Sequence, residues 1–381
     1  MRIGGLQRAI GVWLLLGACA ASQAFGQPQP VPKMSERPLE KASYVALAKQ
    51  WREYIDRHGE TADALVNLGM AQRYSGEMEA AIAAGKRAVE LEPDDPKALN
   101  FYAIILSVSG EDTAEALKLL EKCRALAPDY GDALTTLAAT HLRGGGLEKA
   151  SAVCKTIFER RIVSRPIQDY AYNMLIGLPE GAVLVTNGDS DTFPPLALQA
   201  GMGLRPDVVV VNRILLNLPA YGDSLLREHP SLRPRGALKA EASANASRSI
   251  IERWLVEGKA PLYFAVSVNM NDLGLLPEMV VEGLCRRAVG KGLTPEEVAR
   301  LILERYRLDS ATDWDFAWDL APTVSGLMAN YAGSMVALAE RDGVPADLKC
   351  RLLGKAAAIA EFHDLGSQAH VKALLKKCET R

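Results

Sequence analysis

The sequence predicts an α and α/β protein: a tetratricopeptide-repeat helical array, then a small open parallel-sheet α/β domain and a helical C-terminal region. Three observations carry this. Helix-pair landmarks recur at a near-constant interval from residue 62, three short β-branched runs alternate with helical spacing after Pro166, and helical periodicity alone returns after Thr294. With 381 residues, 49% hydrophobic and 24% charged, the chain is long enough for two or three cores.

The repeats begin with Leu65, Leu68, Gly69, Ala81, Ala88 and Pro93, which occupy the spacing of a helix pair of about 34 residues whose small positions let the helices approach. A second copy follows in Leu99, Tyr102, Ala103, Ala116, Leu120, Cys123 and Pro128, and a third in Leu134, Leu137, Ala138 and Ala150. Gly76, Gly110 and Gly145 align at the turn inside each pair, where a positive φ is useful. Residues 41–59 space Tyr44, Leu47, Trp51 and Ile55 as one apolar helix face, a cap for the first repeat. The array is thus assigned to residues 41–163. Stacked pairs present a groove for a protein or peptide partner, and first-helix positions bring Arg73, Tyr74, Asn100 and Arg143 towards it. An alternative is that these four are simply solvated polar positions.

Residues 164–292 form the α/β domain. Strands are expected at 181–188, 207–212 and 261–268, with a helix from Thr192 to Met202 between the first two, capped by Asp191 and holding Pro194 and Pro195 in its first turn. A second helix, Ala244 to Glu257, leads to the third strand. Loops at the carboxyl ends of such strands are where ligands bind, which directs attention to VLVTNGDSDTFPP, residues 183–195. Gly188-Asp189-Ser190 matches the signature of secreted esterases with a serine nucleophile, but no histidine here has the aspartate three residues before it that supplies their base. Asp189-Ser190-Asp191 also matches the metal-binding pair of nucleotide-sugar transferases, a very common pattern. A dinucleotide site would need a glycine-rich fingerprint that is absent. The simplest reading is a helix start with acidic residues at its positive end, so no residue is assigned as catalytic and no cofactor or metal is expected. An enzyme acting on a glycan or ester through Asp189, Ser190 and Asp191 is the competing function.

The blocks VLVTNGDSDTFPP, LRPDVVVVN, LLNLPAY, PLYFAVSV, EGLCRRAV and NYAGSMVALAERDG, in that order, resemble the soluble region that follows the membrane helices in a large family of bacterial membrane proteins. That family is related to a transmembrane protein O-mannosyltransferase of animals. The resemblance spans roughly residues 165–345 and implies an extracytoplasmic module for recognition or assembly, because sugar transfer is assigned to the membrane part of the family. It carries across Asn187, Asp189, Asp191 and Thr192 as candidates for a small polar ligand or cation. This chain departs from it at Ser190, where Asn is usual, and at Leu196, Ala197 and Leu198, where aromatic residues are usual.

The two ends complete the reading. Arg2 and Arg8, an apolar run from Ala9 to Leu16 and then small residues make residues 1–26 a secretory signal. Ala24-Phe25-Gly26 suits cleavage before Gln27, while Leu16-Gly17-Ala18-Cys19 resembles a bacterial lipobox with Cys19 lipidated. Either exit implies export, to the periplasm or as an outer-membrane lipoprotein, with the membrane touched only through that anchor. Residues 27–40, Pro-rich, are expected to be a stiff tether. Residues 293–381 are helical in pattern, with a helix opened by Pro295-Glu296-Glu297, two or three more between about Trp318 and Lys377, and Trp314 and Trp318 as core anchors. Beyond Cys19 an odd number of cysteines without CxxC spacing argues against zinc or a disulfide framework, and a net charge of -2 argues against nucleic acid. The function predicted is protein binding in the cell envelope, accessory to glycosylation or surface assembly.

Overall fold

The structure, a computed structural model, describes residues 26–33, 38–235, 246–273, 279–313 and 321–379. Its contacts divide the chain into two compact units, Met1–Thr136 and Leu137–Arg381.

The first unit is helical: α1 (Lys41–His58), α2 (Ala62–Ser75), α3 (Met78–Leu91), α4 (Pro96–Ser109), α5 (Thr113–Leu126) and the start of α6 (Gly131–Arg143). Side-chain caps start three of them. Thr61 accepts from the Ala64 N–H, Asp95 from Ala98 and Asp112 from Glu115. The repeat alanines are the contact points, with Ala71, Ala81, Ala88, Ala98, Ala103 and Ala116 all fully buried. Gly69 belongs to the same set, since a Cβ there would stand 2.5 Å from the Phe101 ring. Gly76 and Gly110 end α2 and α4 at φ +94° and +77°, as the aligned turns require. The expected cap holds: Tyr44, Ala48 and Trp51 of α1 share a core with Ala64, Leu68 and Ala71 of α2.

The Pro-rich segment is not a free tether. Trp51 Nε1 donates to the Gln29 carbonyl at 3.1 Å, the Val31 N–H donates to Asn67 Oδ1 at 3.0 Å, and Lys33 Nζ meets Asp132 Oδ2 at 2.5 Å. The Val31 side chain is buried in the α1–α2 core. A stiff extended chain with one apolar residue offers little surface of its own, and the array supplies the partners that the segment lacks.

The second unit continues through α7 (Leu147–Glu159) and α8 (Arg165–Ile176) to β1 (Val183–Thr186), α9 (Asp189–Met202), β2 (Val209–Asn212), α10 (Pro219–Glu228), α11 (Ala246–Glu257), β3 (Leu262–Ala265), α12 (Met270–Leu273), β4 (Val280–Glu282) and β5 (Cys285–Val289). Three strands are parallel as expected, β2-β1-β3 in space, and shorter than the apolar runs suggest. The sheet as a whole is mixed, because β5 pairs antiparallel with β3 and β4 antiparallel with β5, giving the order β2-β1-β3-β5-β4. This hairpin escapes sequence reading: its strands are three and five residues long, with Arg286 and Arg287 in the second. Its turn is Gly283-Leu284, with Gly283 at φ +66°.

The first crossover also differs from expectation. Helix α9 begins at Asp189, capped by Gly188 rather than Asp191, and Pro194 and Pro195 fall in its second turn. Only Asn187 and Gly188 separate strand from helix, so Asp191 stands third in the helix and turns its carboxylate back on the loop.

Helix α13 (Pro295–Arg300) has a capping box between Thr294 and Glu297 and widens into a π-type turn at Leu301–Arg305. The last helices are α14 (Ala321–Ala339), α15 (Ala346–Phe362) and α16 (Gln368–Glu379). Cys350 and Cys378 form a disulfide between α15 and α16, against the expectation of none; two nearby cysteines need no CxxC spacing when a helical hairpin brings them together. Cys123, Cys154 and Cys285 are free and buried, as small apolar side chains would be. Trp314, Trp318 and Cys19 lie outside the described residues. Among the described residues no helix is long and apolar enough to cross a membrane.

Candidate functional site

At the carboxyl ends of the three parallel strands, polar side chains meet. The Asp191 carboxylate accepts from the Asn187 N–H at 2.9 Å on one oxygen and from the Gly188 N–H at 2.8 Å on the other. The Ser267 hydroxyl, just past β3, donates to the same group. Asp191 therefore ties the β1–α9 loop to the end of β3. Thr186 donates its hydroxyl to the Val211 carbonyl at 3.2 Å, which leaves Thr192 to donate to Thr186 across 2.6 Å. The Asn212 amide donates to Thr192 at 3.1 Å while its oxygen accepts from the Ile214 and Leu215 N–H groups. Arg213 Nε donates to Asn187 Oδ1 at 2.7 Å.

Asp191 is buried, and burial pushes its carboxyl above the usual range, opposed by the bonds from Ser267, Asn187 and Gly188. Its two oxygens carry three donors among the described residues, the arrangement of a brace. Of the four candidate ligand residues, Asn187, Asp191 and Thr192 come together and are engaged with the protein itself. Asp189, the first residue of α9, is exposed at the helix's positive end. Ser190 beside it is half-exposed. His363 is committed elsewhere, its ring nitrogens at the Ala311 carbonyl and the Ser325 hydroxyl. Among the described residues no three His, Cys, Asp or Glu side chains gather as metal ligands. A cleft of about 460 Å³ lies between Leu147, Ser151, Lys155, Ala200 and Glu228 and contains none of the loop residues.

Sequence reading missed a second polar group. Asn173 donates to the Tyr331 hydroxyl at 2.6 Å and to the Arg307 carbonyl, and accepts from the Arg307 N–H. Asp169 accepts from Ser310 at 2.7 Å, and Asn330 donates to the Tyr170 hydroxyl. These partners are 134 to 160 residues apart, so no local spacing announces them.

In the repeats, Tyr74 packs against Tyr44 of the cap with the rings tilted and their centroids 4.9 Å apart, and it lies under the Arg73 guanidinium at 5.1 Å. Asn100 is buried and hydrogen-bonds Tyr130, its Oδ1 without a partner among the described residues. Those three belong to the first unit, whereas Arg143 belongs to the second.

Comparison with known proteins agrees with the repeat assignment. A model described as "Tetratricopeptide repeat" matches residues 108–161, and one described as "TMEM260-associated domain 2" matches residues 167–234, the stretch holding β1, α9, β2 and the aspartate loop. Curated proteins give no match. Among solved structures, MamA is 17% identical, covering 52% of this chain and 97% of that one at a TM-score of 0.32. A tetratricopeptide repeat protein from Parabacteroides merdae is 12% identical over 89% of this chain and 93% of its own, also at 0.32. Cut9–Hcn1 of the APC/C is 14% identical over 91% and 47%, again at 0.32. The chain thus carries a tetratricopeptide repeat region, an architecture that presents a surface to protein partners.

Proposed function

We propose that this protein is an exported, envelope-associated module that binds a protein or peptide partner through its repeats, as an accessory to protein glycosylation or surface assembly. The observation that carries the binding role is the contrast between the sites: helix pairs stacked through buried small residues on one hand, and on the other a loop whose one buried carboxylate is spent on its own backbone and Ser267. The Cys350–Cys378 disulfide supports export, since such bonds persist in oxidising compartments. The glycosylation or assembly setting rests on the sequence resemblance over residues 165–345 to a soluble extracytoplasmic region.

Immobilised full chain is expected to retain a protein from envelope extracts. Asp189→Ala and Ser190→Ala should retain it equally, and Arg73→Glu, on the first-helix face, should weaken retention. Turnover of a glycan or ester that Asp189→Ala abolishes while the fold stays intact would replace binding with catalysis.

A further inference from the structure

The first unit holds one extended peptide already: its own residues 29–33. Gln29, Val31 and Lys33 make the hydrogen bonds and ion pair described above, the alternation of an extended chain. Their partners are Trp51 of the capping helix, Asn67 of the first repeat's first helix and Asp132 of the third repeat's first helix. The contacts are of three kinds. Trp51 and Asn67 take a backbone carbonyl and a backbone N–H, which any sequence can offer. The core of Tyr44, Trp51, Ala64 and Leu68 takes one medium apolar side chain, Val31. Asp132 takes a cation two residues further on, in a half-exposed pair that adds selectivity more than affinity. Pro30 and Pro32 flank the buried valine, lack N–H groups that would need partners, and lower the entropy lost on ordering the chain.

We infer that the first-helix face of the array recognises an extended peptide of this chemistry, an apolar residue between prolines with Lys or Arg two positions after it, and that residues 29–33 occupy the site in cis until such a partner displaces them. This rests on the binding-module reading and gives it a ligand class and a built-in competitor. A tethered occupant lowers apparent affinity by the fraction of time it leaves the site open. The occupant's grip is modest, one buried valine, two backbone hydrogen bonds and one half-exposed ion pair, so a partner that adds contacts beyond this segment can compete.

The test uses labelled heptapeptide Gln-Pro-Gln-Pro-Val-Pro-Lys and the full chain. Val31→Asp with Lys33→Glu loosens the cis segment without touching the site, and circular dichroism checks the fold. That variant is expected to bind the peptide about tenfold or more tighter than wild type. Adding Asp132→Lys should weaken this binding and transfer preference to a peptide ending in Glu. Equal binding by wild type and loosened variant, or binding by neither, overturns the inference. If both chains nonetheless retain the same envelope protein, the binding-module reading stands and only the cis-occupied site falls.

Discussion

The helices of residues 41–126 and the sheet region of residues 165–339 solve the burial problem differently. The first set buries small apolar side chains against neighbours a few tens of residues away, and its buried polar groups are neutral: Gln72, Ser75, Asn100 and Ser107. The sheet region buries charged groups, Asp169, Asp191 and Glu282, and satisfies them with partners far along the chain in two of the three cases. A repeat gains specificity by copying one contact geometry. A non-repeating sheet gains it from polar groups that have few alternative partners, at greater cost when one is removed.

The largest expected effect tests that cost. Glu282 bonds Arg287 at 2.7 Å and accepts from the Tyr263 hydroxyl at 3.0 Å. Glu282→Ala leaves a mostly buried guanidinium and a buried hydroxyl without their acceptor, a loss of about 3–5 kcal/mol. Urea denaturation followed by tryptophan fluorescence measures it, and a loss near that of an ordinary surface substitution would erase the contrast. Next is the disulfide, which closes a loop of 28 residues and stabilises by about 3–4 kcal/mol. Replacing Cys350 and Cys378 together by alanine should give that loss, and wild-type chain in strong reductant should match the variant.

A smaller effect is expected in the repeats. Gly69→Ala drives a Cβ to 2.5 Å from Phe101, whose ring is buried, and overpacking there costs about 1–3 kcal/mol. Gly110→Ala, at a turn with open space, should cost only the strain of its positive φ. If Gly69→Ala costs nothing measurable, close approach at Gly69 is not what packs the pairs.

The same division decides what could be read beforehand. The alanines, turn glycines and capping helix of the array are legible because each contact repeats at a fixed short interval. The parallel strands are legible because burial on both faces makes Val183–Val185, Val209–Val211 and Leu262–Ala265 almost wholly apolar runs, with the polar Thr186 and Asn212 falling only at their carboxyl ends. The β4–β5 hairpin is not, since its strands are short and half-buried and carry Glu282, Arg286 and Arg287 in place of an apolar run. Docking of Val31 and pairing of Cys350 with Cys378 depend on which helices become neighbours, which no local pattern encodes. At the candidate loop the residue types were readable but their use was not: Asp191 as a cap and Asp191 as a brace on Ser267 differ by 76 residues of sequence separation.

The smallest expected effect concerns pH and the C-terminal helices. Burial holds the His363 ring below its ordinary pKa of 6.5, partly offset by the bond to the Ala311 carbonyl. In the folded chain the ring stays neutral where the unfolded chain would take up a proton. Stability from this site is therefore complete above 6.5 and falls as pH drops through 6.5 towards the lowered folded value. His363→Gln can keep an acceptor at Ser325 and a donor at Ala311 without titrating. Denaturation midpoints measured above and below pH 6.5 should shift less in the variant than in wild type. A wild-type midpoint that rises on acidification relative to the variant would mean that the ring is charged in the fold, and that this region, like the sheet, holds a buried ion.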